Sequence, residues 1–201
     1  MVYRFGCPVG SLTYGITTLE LGITVFKEMV AVSLTTVMRN VKILVVGMSP
    51  PSIDNAVTLL KCFPCLQKLY ILIFLNEKSK RVQLHDPHDY MECLDVHLKK
   101  LVLINYRGIK RDVELGKFFL LNARVLEIME LATSRQNCTA EYLTKQRTKL
   151  QLKSTASQDA QFLFSCHSYL NDSMHISHIH DLAIGDPFDG SLCRCKTIQF
   201  L

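Results

Sequence analysis

Two cysteine pairs and a group of histidines are the residues of this sequence whose types and spacing could bind a metal ion. Cys62 and Cys65 have the C-x-x-C spacing of a zinc knuckle or a redox pair, and Cys193 and Cys195 form a second close pair. Neither pair is followed by a second C-x-x-C at zinc-finger spacing, so the sequence favours cysteines that pack as small hydrophobic side chains. A Cys/His zinc-binding protein remains an alternative interpretation. The histidines that could complete its tetrahedral site are His175, His178 and His180.

The histidine group has a simpler explanation as the polar face of a strand. His178 and His180 would share one face of a strand, because side chains alternate with a period of two. No H-E-x-x-H pattern accompanies them, which leaves Asp181 and Asp186 with supporting or capping roles only. The Asp186-Pro187 step is typical of a turn that ends such a strand.

Common catalytic motifs are absent from the sequence. It contains no G-x-G-x-x-G, no phosphate-binding P-loop and no G-x-S-x-G nucleophile elbow. We therefore expect a protein that is not an enzyme and that uses no cofactor.

Charge and hydrophobicity are both moderate. The chain has 201 residues, of which 48% are hydrophobic, so we expect one domain or one compact repeat array with a real core. Its 23 basic and 18 acidic residues give a net charge of +5, which is small for a dedicated nucleic-acid-binding protein. A nucleic acid is therefore not the partner that the composition favours.

The N-terminus has no signal-peptide pattern, and the most apolar region, residues 16–48, carries five charged residues that interrupt it before it reaches membrane-spanning length. We expect no membrane partner and a cytoplasmic or nuclear location. In such a compartment most of the eight cysteines should be thiols.

Two basic stretches could contact phosphates or an acidic partner. One runs from Lys78 to Arg81, and the other, which we name the basic edge, consists of Lys145, Lys149 and Lys153. Lys145 and Lys149 would be neighbours on one face of a helix. No aromatic residues of the kind that stack on bases alternate with these charges, so a solvated helix face is favoured over nucleic-acid binding.

A weak repeat indicates how the chain is organised. The pattern apolar-x-x-apolar-x-apolar begins at Ile16, Val41, Leu66, Leu98 and Leu126, which lie 25 to 32 residues apart. Each match predicts a short strand whose last two apolar residues point to one side. The predicted buried series includes Leu44, Leu69, Leu101 and Met129.

Helix-like segments separate several of these strands. Residues 52–63 place Ile53, Ala56, Val57 and Leu60 at helical spacing before a stop at Pro64. In the next such segment Val113, Gly116 and Leu120 share a face, Asp112 is a candidate N-terminal cap, and Asn122 suits the C-terminal end. Residues 140–150 also look helical, and residues 161–164 look like a strand, although the period falters beyond Leu131.

Strand, turn and helix recurring in this way predict an α/β fold. It is a leucine-rich-repeat-like solenoid of irregular strand–helix units with parallel strands. We predict leucine-rich-repeat-like units over residues 1–97. An ordinary α/β domain with coincidental spacing is the alternative.

Three segments resemble a known family. They are CFPCLQKLYI (Cys62 to Ile71), ECLDVHLKKLVLINYRGIKRDVELGKFFLLNARVLEIMEL (Glu92 to Leu131) and HIHDLAIGDPFD (His178 to Asp189). Together they are similar to the C-terminal half of plant F-box/leucine-rich-repeat proteins that carry an FBD region. The resemblance extends from Leu19 to Asp189 and implies that residues 98–201 are an FBD-like region continuing the same solenoid.

The resemblance implies a function in substrate recognition. In that family an F-box docks onto a Skp–cullin ubiquitin ligase and the repeats present substrates. We find no F-box pattern before the first repeat, so the chain is expected to correspond to the recognition part. The partner is expected to be a protein substrate or an adaptor.

The strand residues that alternate with the buried ones are the candidate partner-binding residues. On a stacked parallel sheet they form rows on the open surface, where lysine and tyrosine side chains beside aliphatic ones suit a protein partner. The row consists of Lys68, Tyr70, Lys100, Val102, Ile128 and Glu130.

Overall fold

The structure is a computed structural model that describes residues 2–5, 17–22, 37–74, 91–151 and 155–166. The chain divides into two compact units, Met1–His167 and Ser168–Leu201, and the described residues all belong to the first. The histidine group, Cys193, Cys195, Lys153 and the stretch from Lys78 to Arg81 lie outside the described residues.

In the described residues seven parallel strands form one sheet in the order of the sequence, so each strand pairs with its neighbours in the chain. This is the arrangement of a solenoid, and the predicted fold class is confirmed. The strands are β1 (Val2–Phe5), β2 (Thr18–Leu21), β3 (Ile43–Met48), β4 (Lys68–Ile73), β5 (Lys100–Ile104), β6 (Ile128–Thr133) and β7 (Gln161–Cys166).

Helices connect several of the strands. In the described part of the chain these are α1 (Ile53–Cys62), α2 (Lys110–Asn122) and α3 (Ala140–Leu150). A π-helical turn, Cys93–His97, precedes β5, and a 3-10 turn, Arg135–Asn137, precedes α3. No helix within the described ranges is long and apolar enough to cross a membrane.

The core lies between the sheet and the helices, and its spine is the predicted series. Leu44 pairs with Leu69, Leu69 with Leu101, and Leu101 with Met129 along the sheet. All four side chains are fully buried in one hydrophobic cluster. We call this side the inner face of the sheet and the opposite side the outer face.

A backbone contact recurs at the entry to successive strands. The carbonyl oxygen of Lys42 accepts hydrogen bonds from the backbone N–H groups of Gln67 and Lys68, at 2.8 and 2.9 Å. The Gln67 carbonyl likewise accepts from Lys99 and Lys100. The Thr17 and Lys99 carbonyls repeat the arrangement for their own neighbouring strands, so the units share one backbone attachment although their lengths differ.

Local signals determine the bounds of α1. Ser52 is its N-cap, because the Ser52 hydroxyl accepts a hydrogen bond from the Asn55 N–H at 3.2 Å. Pro64 follows the C-cap residue and cannot continue the helix. Ala56, Val57 and Leu60 are buried as expected, whereas Ile53 is exposed because it is the first helical residue and lies at the edge of the core.

The array continues further in both directions than the apolar pattern indicates. β1 precedes the first predicted strand, and β7 extends the sheet beyond β6 with Phe162 beside Met129. The pattern falters there because Asp159 occupies the position that Leu126 holds in the preceding unit, three residues before the first inward-facing strand residue.

The predicted helix 140–150 and strand 161–164 are confirmed. The sheet runs without interruption past residue 98, but the domain boundary at residues 97/98 stays a prediction.

The described cysteines are of two kinds. Cys62, Cys65 and Cys93 are free thiols, as expected for most of the cysteines. Cys138 and Cys166 instead form a disulfide that joins the turn before α3 to the end of β7, with Cα atoms 6.0 Å apart.

Candidate protein-binding surface

The six candidate partner-binding residues form two adjacent rows on the outer face. Lys68 pairs with Lys100, which in turn pairs with Ile128. The register of the strands places these side chains in rows, as predicted, whereas their role in binding a partner stays a prediction. The second row runs through Tyr70, Val102 and Glu130.

Part of the second row is not open to solvent. Tyr70 is 4% exposed and Val102 is 3% exposed, although neither belongs to the main core cluster on the inner face. The expectation that every residue of the rows faces solvent is therefore wrong at these two positions. Val45, which continues the row toward the N-terminus, is buried as well, so the second row is covered from β3 to β5.

The outer face opens at its C-terminal end. Ile128 and Glu130 on β6 are partly exposed, Gln161 on β7 is exposed, and Leu163 is 46% exposed. Gln161 pairs with Ile128 and Leu163 pairs with Glu130, so both rows continue onto β7. Sequence reasoning missed Gln161 and Leu163 because the rows were built only from matches to the apolar pattern, which fails at Asp159.

A cationic side chain borders the covered part of the face. The Lys100 ammonium group lies 5.6 Å from the centre of the Tyr70 ring, in the range of a cation–π contact. The positive charge is thus held over an aromatic side chain beside Ile128. This places a cation, an apolar side chain and the Glu130 carboxylate on adjoining positions of the sheet.

The basic edge is used partly within the protein. Lys145 is exposed on α3, as a solvated helix face requires. Lys149 is exposed too, but its ammonium group donates a hydrogen bond to the Gly108 carbonyl at 2.9 Å. Lys153 lies outside the described residues, so the structure brings together only two of the three predicted lysines. The alternative of nucleic-acid or acidic-partner binding through this edge stays a prediction.

The turn between β5 and α2 is built from the Tyr-x-Gly sequence of residues 106–108. Gly108 has a φ of +68°, which favours glycine. A Cβ atom at this position would collide with the side-chain amide of Gln146 on α3. The same amide oxygen accepts a hydrogen bond from the buried Tyr106 hydroxyl at 3.1 Å. The turn therefore serves as the docking point of α3.

Asp112 stabilises this turn from inside α2. The N-cap residue is Ile109, which makes no side-chain cap, so the prediction of Asp112 as the N-cap is wrong. Asp112 is the third helical residue, and its carboxylate reaches back past the N-cap to accept a hydrogen bond from the Arg107 N–H at 2.9 Å. The predicted C-terminal residue Asn122 ends α2 and donates to the Phe118 carbonyl at 2.7 Å.

Burial determines the electrostatics of the turn. Asp112 is fully buried, and burial raises the pKa of its carboxyl group, while the backbone N–H and the guanidinium of Arg107 oppose that rise. Burial likewise raises the pKa of the Tyr106 hydroxyl well above its ordinary value. These groups are committed to packing and hydrogen bonding between elements, so we assign the turn a structural role.

Repeating parallel strands with one buried spine define a leucine-rich-repeat solenoid. The family model for the leucine-rich repeats of an FBD-associated F-box protein matches residues 8–71, and the FBD family model matches residues 86–131. Searches of the curated proteins and of the solved structures found no significant match. The chain therefore carries leucine-rich repeats of the kind found in FBD-associated F-box proteins, followed by an FBD domain.

Proposed function

We propose that this chain is a non-enzymatic protein-binding module that recognises a protein substrate for a Skp–cullin–F-box ubiquitin ligase. The matched families are protein-interaction families of F-box proteins, and they support the proposal at that level. The observation that carries it to particular residues is the open end of the outer face, where Ile128 and Leu163 are available to a partner.

The composition of this open end suits a protein partner. Leu163 and Ile128 form an apolar centre, and Glu130 lies in register with Leu163. Lys100, next to Ile128, supplies a positive charge at the margin. An apolar centre with a charged rim is the usual anatomy of a protein–protein interface. The partner should therefore present an apolar side chain between an acidic and a basic group.

The test begins with affinity purification of the full chain from cell extract, followed by mass spectrometry to identify the bound proteins. Binding is then measured with the purified partner and the variant Leu163→Arg. We expect affinity at least about tenfold weaker, since residues at the centre of an interface contribute most of the binding energy.

Leu121→Arg is the matched control, because Leu121 is an exposed leucine of α2 and lies on the helical side of the sheet. It should leave the affinity unchanged. Equal affinities of the two variants would contradict the proposed surface. Lys100→Glu is a further test, whereas Tyr70→Ala is less specific, because Tyr70 is buried and its loss would also lower stability.

The link to a ubiquitin ligase needs its own measurement. A Skp-like protein that co-purifies with the chain and with the identified partner would support it. A partner whose binding depends on Leu163, recovered without any Skp-like protein, would support the binding module and contradict the ligase part. We also propose a cytoplasmic or nuclear location, which imaging of a fluorescent fusion tests.

A further inference from the structure

Three potential metal ligands from two neighbouring units lie together at one side of the solenoid. Cys65 is located between α1 and β4. Glu92 immediately precedes the π-helical turn before β5, and His97 is the last residue of that turn. One ligand atom from each, the Cys65 sulfur, a Glu92 carboxylate oxygen and a His97 ring nitrogen, lie within 4.8 Å of one another. All three side chains are partly buried, which limits their freedom without closing them to solvent.

The separation of these atoms approaches that of a zinc site. The His97 Nε2 atom is 3.8 Å from a Glu92 carboxylate oxygen. Ligand atoms bonded to a tetrahedral zinc ion at about 2.0 to 2.3 Å are about 3.3 to 3.8 Å apart. The three atoms lie within 4.8 Å of one another, so side-chain rotations would have to bring the Cys65 sulfur and the other two atoms to this spacing.

Only one cysteine of the C-x-x-C pair, Cys65, belongs to this cluster. Cys62 ends α1, is buried, and donates a hydrogen bond from its thiol to the Thr58 carbonyl at 3.2 Å. Cys65 instead faces residues of the following unit. The sequence could not indicate this grouping, because 27 residues separate Cys65 from Glu92.

A cation already occupies the approach to these atoms. The Arg39 Nη1 atom lies 3.1 and 3.2 Å from the two Glu92 carboxylate oxygens and 3.9 Å from the Cys65 sulfur. The Arg39 side chain is 61% exposed, and exposed ion pairs contribute little to stability. The cluster thus attracts a positive charge, and the present one can be displaced at small cost.

We propose that Cys65, Glu92 and His97 bind a Zn²⁺ ion, with water as the fourth ligand and Arg39 displaced toward solvent. Thiolate, carboxylate and neutral imidazole are all ligands that zinc accepts, and three protein ligands with one water is an established coordination set. Binding transfers the Cys65 thiol proton to solvent. The ion would link the β4 unit to the β5 unit. This inference does not depend on the proposed function.

Zinc titration of the full chain, with the Cys138–Cys166 disulfide intact, against a competing chromophoric chelator tests the site. We expect one ion per chain, and at least about 100-fold weaker binding for Cys65→Ser and for His97→Gln, since even the loss of a residue that only supports a ligand costs about 10–100-fold. Co²⁺ in place of Zn²⁺ should give a thiolate charge-transfer band that Cys65→Ser removes. Circular dichroism confirms that each variant is folded.

The control must separate this site from the other zinc-ligand residues of the chain. A variant with serine at Cys193 and Cys195, and alanine at His175, His178 and His180, should keep one zinc ion per chain. Zinc should also protect Cys65 from alkylation, as located by mass spectrometry. Arg39→Ala should tighten binding, because it removes the competing cation.

Two outcomes would overturn the proposal. One is zinc binding that Cys65→Ser and His97→Gln leave unchanged, which would show that the cluster is an ion pair only. The other is zinc binding that the C-terminal replacements abolish by themselves.

Discussion

The Asp112 carboxylate accepts a hydrogen bond from the backbone N–H of Arg107 across 2.9 Å, which closes the turn between β5 and α2. Gly108, inside the turn, is contacted on its carbonyl oxygen by Lys149 of α3. One buried carboxylate therefore orients the segment on which two helices converge.

Asp112→Ala should lower the free energy of unfolding by about 1–3 kcal/mol, because it leaves the Arg107 N–H and guanidinium without their partner. Urea denaturation measures the change. Glu114→Ala is the control, since the Glu114 ion pair with Lys110 is exposed at 3.9 Å and should contribute about 0.5 kcal/mol or less. Equal losses in the two variants would contradict the role assigned to Asp112.

The stability contributed by Asp112 should depend on pH. Its native pKa is raised by burial, so the folded chain retains a proton that the unfolded chain releases. Stability from this group should increase as the pH falls through the raised native pKa toward the ordinary value of about 3.9. Asp112→Asn removes this dependence. The difference in free energy of unfolding between the wild type and Asp112→Asn should therefore rise on acidification. A fall in this difference would show that folding lowers the pKa of Asp112 instead.

Three glycines should respond differently to alanine substitution. Gly108→Ala combines a φ of +68° with a collision against Gln146 and should cost about 1–3 kcal/mol. Gly116→Ala brings a Cβ atom to 3.0 Å from a Leu150 methyl group, but the higher helix propensity of alanine offsets this crowding, so its cost should be well below that of Gly108→Ala. Gly22→Ala meets no atom within 4 Å and should change stability little. Thermal unfolding of the three variants checks this order, and a Gly22 variant as damaged as the Gly108 variant would contradict it.

Opening the Cys138–Cys166 disulfide should destabilise the last described unit. The bond closes a loop with a sequence separation of 28 residues, for which the chain-entropy estimate is about 3.5 kcal/mol. Denaturation with and without a reductant measures the loss. Cys138→Ser/Cys166→Ser should match the reduced protein and be insensitive to reductant. If the reductant destabilises this double variant as well, a different disulfide is responsible.

The inner face of the sheet could be predicted well from the sequence. Leu69 and Leu101 repeat the same local pattern, and side-chain alternation then places them in register without further information. The bounds of α1 also follow from local signals, because Ser52 and Pro64 determine its ends. Such features depend on residues close together in the chain.

The features that sequence reasoning missed depend on contacts between units. Nothing local distinguishes Tyr70, which is covered, from Leu163, which is exposed. Asp112 has a side chain suited to capping, but α2 begins two residues earlier, at Lys110, because of the turn that precedes it. The cluster at Cys65 is formed only because the stacking of units brings Glu92 and His97 to it.

The shared carbonyl at each strand entry explains how this architecture accommodates insertions. Because Gln67 attaches to both Lys99 and Lys100 just as Lys42 attaches to Gln67 and Lys68, a unit of 32 residues joins its neighbour by the same hydrogen bonds as a unit of 25. Insertions between two strands can therefore accumulate during evolution, and change the residues of the connecting segment, while the pairing of neighbouring strands is preserved.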